Sequence, residues 1–158
     1  MKYFLMVLIV LFCGCAGMED KYQSDMDRVR ISHIDYLNTL ILEYKDKTGK
    51  LPLQSEIKDK DIQVFITYRK IPDWLEAQTK QLPIESFSST QLEADIENVL
   101  GRDIQMPSDP QNVATYAPNL YIYHVTKNWA CVSGNLYSPT PKTENVNNQY
   151  YKYQLCNE

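Results

Sequence analysis

Between residues 25 and 48, apolar side chains return every three or four positions. Met26, Val29, His33, Leu37, Leu40, Ile41 and Tyr44 fall on one face of a helix. Ile31, Ile34 and Leu42 widen that surface beyond a single stripe. A helix this long and this apolar must be covered, and a sheet is the broad partner that covers it. Its ends are marked as well. Ser24 can cap the start, with Asp25 and Asp27 set against the positive end of the dipole. Lys45 and Lys47 suit the last turn, and Gly49 followed by Pro52 stops the helix.

The rest of the chain supplies the sheet. Residues 62–68 (IQVFITY) are β-branched and aromatic and read as a strand. Residues 71–87 read as irregular, bent at Pro72 and Pro83 and packed down by Trp74. A second helix starts at Ser88-Ser89-Thr90, carries Leu92, Ile96, Val99 and Leu100 on one stripe, and ends at Gly101. Pro107, Pro110 and Pro118 make residues 104–118 a connecting loop. Alternation then predicts three antiparallel strands at 120–125, 129–136 and 150–155, with a turn at Lys127-Asn128 and a polar loop over 138–149. The fold class expected is α+β, with a long N-terminal helix on a small antiparallel sheet. At 158 residues, one domain is the natural unit. A net charge of −4 excludes nucleic acid as a partner, since a phosphate backbone needs a basic stripe.

The N-terminus reads as an address. Lys2 precedes an unbroken apolar run over residues 4–12 (FLMVLIVLF), about half of the roughly 20 residues that span a bilayer. Phe12-Cys13-Gly14-Cys15 follows, and it resembles the lipobox of bacterial lipoproteins. Gly14 and Cys15 match that pattern, whereas Phe12 stands where Leu is usual and Cys13 is an uncommon small residue. The resemblance implies a diacylglycerol thioether on Cys15, cleavage before it, and a fatty-acid amide such as palmitate on the new amino group. Residues 1–14 are then a signal peptide, 15–24 a lipid-anchored tether, and 25–158 the folded domain. Several acyl chains hold a protein on a membrane almost permanently, whereas one does not. Ala16 stands where Asp would imply inner-membrane retention, so the resemblance points to the outer membrane, facing the periplasm. Of four cysteines, Cys131 and Cys156 remain, and an oxidising envelope makes their pairing the expectation. No CxxC or Cys/His cluster is present to complete a metal site instead.

Residues 44–52 (YKDKTGKLP), closing the long helix, resemble the corresponding stretch of type IV pilins and type II secretion pseudopilins. Ser108-Asp109-Pro110 ahead of Tyr-rich strands is similar to the Asp-Pro motif of such heads. The resemblance covers about residues 25–156 and implies a helix packed on an antiparallel sheet, often with a C-terminal disulfide. There is no prepilin cleavage site and no apolar helix of about 20 residues to build a filament core. What it implies is therefore a pilin-like head rather than a pilus subunit, and fold likeness alone licenses no function.

Convergent chemistry is sparse. His33 sits on the apolar helix face, as a hydrogen-bonded core histidine would, and His124 lies inside a strand. No GxSxG elbow, HExxH, SxxK or Gly-rich phosphate loop occurs, and Ser133-Gly134 reads as a strand-end turn. Glu93, Asp95 and Glu97 read as a solvated helix face. Asp109, Asn112 and Glu144 offer too few oxygens for calcium, which prefers about six to eight. No catalytic residue, cofactor or metal is expected. Among 12 tyrosines, Tyr116, Tyr121, Tyr123, Tyr137, Tyr150, Tyr151 and Tyr153 gather with Trp129 in the sheet region. Tyr121, Tyr123, Trp129, Tyr151 and Tyr153 are the candidate binding residues, because Tyr and Trp are favoured at interfaces; the alternative is that half of them form the core face of the sheet. The function expected is a non-enzymatic, lipid-anchored envelope protein that binds another protein. The second reading is a periplasmic carrier or sensor of a small ligand or calcium.

Overall fold

The structure is a computed structural model that describes residues 2–67, 83–111, 120–147 and 150–158, with side chains from residue 21 on except those of Tyr22 and Asn147. Helix α1 (Lys2–Thr48) leads into a short 3-10 turn (Gln54–Glu56) and strand β1 (Asp61–Ile66). Strand β2 (Ile84–Ser88), helix α2 (Ser89–Leu100) and strands β3 (Tyr121–Val125), β4 (Ala130–Leu136), β5 (Thr143–Asn147) and β6 (Tyr150–Asn157) follow. They form one six-stranded sheet in the order β2-β1-β3-β4-β6-β5. All neighbours are antiparallel except β1 and β2, which run parallel. The molecule is α+β, helix on sheet.

Both helices pack on the same face of the sheet. From α1 come Ile34, Leu37, Leu40, Ile41 and Tyr44, and from α2 come Leu92, Ile96 and Leu100. Beneath them lie the alternate residues of the strands: Ile62, Val64 and Ile66, then Tyr121, Tyr123 and Val125, then Ala130, Val132 and Leu136. Helix α2 forms where its local signals place it. Ser88 Oγ accepts from the Gln91 N–H while the Gln91 side chain accepts from the Ser88 N–H, a reciprocal cap. Gly101 ends it at φ 70°, a conformation that penalises a Cβ.

Several expectations need correction. Helix α1 begins at Lys2, not near residue 25, so Ser24 lies inside the helix and does not cap it. Its buried face also differs at the N-terminal end: Val29 is 36 % exposed, while Asp27 and Arg30 are buried. Residues 84–88 are a strand, not an irregular stretch; β1 recruits them by parallel pairing although only Ile84 and Phe87 are apolar. Residues 143–147 (TENVN), expected in a loop, form edge strand β5, with a bulge between Asn145 and Asn147. An edge strand can be polar because only one side pairs and little is buried. Trp74 and Pro72 lie outside the described residues.

Gly134 is not at a strand end either; it sits within β4, opposite Tyr153. A Cβ there would meet Tyr121 Cδ1 at 2.9 Å and Ile34 Cδ1 at 3.0 Å, so glycine is what allows α1 to come this close to the sheet. Gly134→Val should destabilise the fold by about 1–3 kcal/mol through overpacking, read as a lower urea midpoint at unchanged slope.

Candidate functional site

The heptad-like spacing 27-30-34-37-41-44 puts Asp27 and Arg30 in register with the apolar stripe that faces the sheet. Arg30 is completely buried, and almost every direction its guanidinium points is occupied. Nε donates to Asp109 Oδ2 at 2.7 Å, and one terminal nitrogen donates to Asp109 Oδ1 at 3.1 Å, a bidentate pair. The same nitrogen reaches Gln111 Oε1 at 2.9 Å, and the other reaches Asp27 Oδ1 at 3.0 Å. The Tyr137 ring lies 5.0 Å from the guanidinium carbon. Burial works against the Arg30 charge, but the hydrogen bonds and charges of Asp109 and Asp27 outweigh it and hold its pKa above the ordinary value. Asp27 also accepts from the backbone N–H groups of Tyr137 and Ser138, at 3.0 and 2.8 Å, just beyond the end of β4. One arginine thus ties α1, the 109–111 loop and the end of β4 together.

Beside this knot lies a cleft of about 420 Å³ between α1 and the extended segment 105–108, lined by His33, Tyr36, Gln105, Met106, Pro107 and Ser108. Its walls are held in place from several sides. His33 Nδ1 lies 2.9 Å from the hydroxyl of Tyr121. Burial raises the Tyr121 pKa, which keeps the phenol protonated and neutral beside Nδ1. The Ile104 N–H donates to Glu97, Met106 is buried, and Asp109 at the far end is clamped by Arg30.

Burial lowers the pKa of His33, with the Asp109 charge opposing, and burial likewise lowers that of His124, with Asp61 opposing and Lys152 assisting. The folded state therefore binds protons less readily than the unfolded chain. The stability these two histidines contribute is present above the unfolded value of 6.5 and is lost as pH falls from there through the lower folded values. Melting temperature should fall between about pH 7.5 and pH 5, and His33→Gln/His124→Gln should show a shallower fall over the same interval. An equal fall in both proteins would assign the pH dependence to carboxylates.

The five aromatic residues expected to form a binding surface do not share an accessible face. Tyr121 and Tyr123 are fully buried and Tyr153 is 5 % exposed, all three beneath the helices, because their strand positions alternate inward. Each phenol finds a partner: Tyr121 with His33, Tyr123 donating to the Pro52 carbonyl at 2.8 Å, and Tyr153 donating to Asp35 at 3.1 Å. Tyr151 is half-buried opposite Leu136. Trp129, 36 % exposed, sits edge-on to His124 at 5.0 Å. Tyr137 serves the Arg30 cluster and lies 5.6 Å from Tyr150, while Tyr116 is outside the described residues.

The other candidates are also dispersed. Cys131 and Cys156 are direct cross-strand partners in β4 and β6 and are joined as a disulfide. Cys15 lies in the helical run of α1. His124 Nε2 is buried with no hydrogen-bond partner among the described residues, 3.8 Å from Asp61 Oδ2, and its cross-strand neighbour Cys131 is consumed by the disulfide. Ser133 is inside β4, not at a turn. Asp95 and Glu97 are not simply solvated. Asp95 accepts from the Leu53 N–H at 2.7 Å and from the Tyr44 hydroxyl at 3.3 Å, and burial beside it pushes the Tyr44 pKa up to about 12. Asp109 is committed to Arg30, Glu144 is exposed on β5, and Asn112 lies outside the described residues. Among the described residues, no three His, Cys, Asp or Glu gather to hold a metal, and no helix is long and apolar enough to cross a membrane.

Comparison with protein-family models, with curated proteins and with solved structures finds no match.

Proposed function

We propose that this chain is a lipid-anchored protein of the bacterial cell envelope, held at the outer membrane through Cys15, that acts without catalysis by binding another protein. The partner is an envelope machine, for which this chain is an accessory, or a secreted toxin, for which it is an inhibitor or immunity protein. The observation that carries the reading is the Cys131–Cys156 disulfide between registered partners of adjacent strands. Such bonds persist in oxidising compartments and are rare in reducing ones, which accords with the export signal and lipobox-like Cys15. The non-enzymatic part rests on the sequence, in which no catalytic motif was found.

Metabolic labelling with a palmitate analogue and membrane fractionation test the anchor. Wild-type chain is expected in the membrane fraction and labelled, and Cys15→Ser unlabelled; an unlabelled, freely soluble wild type sinks the anchor. Crosslinking in native membranes followed by mass spectrometry tests the partner, which should be recovered at stoichiometric yield over the Cys15→Ser control. Recovery of nothing above that control refutes a stable partner. The second reading, a periplasmic carrier or sensor of a small ligand, is favoured by one feature only, the cleft beside α1. Calcium as the ligand has no such support, since Asp109 is already neutralised by Arg30.

A further inference from the structure

The cleft between α1 and residues 105–108 carries more polar capacity than the fold uses. His33 is bonded through Nδ1 alone, and the Tyr36 hydroxyl, the Gln105 amide and the Ser108 hydroxyl have no hydrogen-bond partner among the described residues. With Nδ1 engaged by Tyr121, the other ring nitrogen, Nε2, is left to donate or to accept, as the tautomer sets. Apolar surface stands beside these groups: the Tyr36 ring, 40 % exposed, with Pro107.

We infer that this cleft is a binding site for an uncharged saccharide. The chemistry of the lining selects the class. No charged residue lines it, and the buried charges at its far end are spent on each other, Arg30 on Asp109 and Asp27. An anion would meet no Lys or Arg in the lining, and a metal or ammonium ion no carboxylate there. A wholly apolar ligand would strip water from four polar groups and return no hydrogen bond, which is costly. An extended peptide would need a ladder of backbone donors along 105–108, and Pro107 removes one from the middle. A sugar ring offers what remains: C–H faces for the Tyr36 ring and Pro107, and hydroxyls that both donate and accept for His33, Gln105 and Ser108. A volume of about 420 Å³ lies at the small end of ligand pockets, suited to a mono- or disaccharide. The buried Arg30 clamp on Asp109 and the Tyr121 bond to His33 hold both walls in place before any ligand arrives, which lowers the ordering cost of binding.

The site requires neither the lipid anchor nor a protein partner, so its failure would leave the proposed function standing. Saturation-transfer NMR on the detergent-solubilised full chain, with maltose and N,N′-diacetylchitobiose as separate probes, tests it. At least one sugar should receive saturation at its ring protons. Tyr36→Ala and Gln105→Ala should each cut that transfer by about fivefold or more at unchanged melting temperature, since both side chains are exposed. No transfer to either sugar at about ten millimolar overturns the assignment, since binding weaker than that is not specific recognition. Transfer that survives both variants, or stronger transfer to an uncharged tripeptide that both variants abolish, overturns it equally.

Discussion

Arg30→Met is expected to destabilise the fold by about 3–5 kcal/mol, the ordinary cost of removing one member of a buried charge network. The substitution keeps most of the side-chain volume, so the loss is electrostatic rather than a cavity. Asp27, 4 % exposed, and Asp109, 6 % exposed, would be left without their shared cation. In many buried pairs the penalty can be recovered by turning every member apolar, but here it cannot. Asp27 also receives the Tyr137 and Ser138 N–H groups and Asp109 receives the Gln111 N–H, so apolar replacements would strand backbone donors. Chemical denaturation followed by circular dichroism should show the loss, and melting should fall by roughly 10–20 °C for a domain of this size. Arg30→Lys should recover only part of it, because an ammonium cannot form the forked pair with Asp109. A variant within about 0.5 kcal/mol of wild type would show that the cluster is hydrated and contributes little.

Replacing both half-cystines, Cys131→Ala with Cys156→Ala, is expected to cost about 3.5 kcal/mol on the chain-entropy model for their separation of 25 residues. The native sheet should survive in the variant, because β4 and β6 pair over seven registered positions with the disulfide near one end. The effect should therefore appear in the unfolding equilibrium and not in the far-ultraviolet spectrum of the folded state. Reductant provides the control: it should lower the midpoint of wild type toward that of the double variant and leave the variant unmoved. If reductant leaves wild type unchanged, Cys131 and Cys156 are not bonded in the protein as isolated.

Some elements were legible residue by residue. Helix α2 is written in Ser88, Gln91, the stripe Leu92-Ile96-Leu100 and Gly101, all within one short stretch. The C-terminal half of α1 and strands β1, β3, β4 and β6 follow from periods of 3.6 and 2, and Cys131 and Cys156 from arithmetic. Strands β2 and β5 were not legible. Each is five residues long and mostly polar, and it is a strand because β1 or β6 offers a free edge. The alternation in β3 and β6 showed that Tyr121, Tyr123 and Tyr153 share faces with Val125 and Leu155, but not which face the helices would cover. Period alone is blind to that choice.

The candidate site shows the same division more sharply. The spacing of Asp27 and Arg30 with Ile34, Leu37, Ile41 and Tyr44 was a visible signal that two charges interrupt a buried stripe, yet Met26, Val29 and His33 offered an equally good apolar face one position away. What decides between them is Asp109, which is 79 residues from Arg30 in the chain and reaches it only when the loop before β3 closes over α1. The cleft that we assign to a saccharide depends on that closure too. Residues that form an element lie within a few turns of each other, so their physics is local and the sequence alone determined α2, the C-terminal half of α1 and strands β1, β3, β4 and β6, while cysteine count and an oxidising address pointed to the disulfide. Burial of a charge is favourable only once distant partners have displaced its water, and that was settled by the tertiary structure.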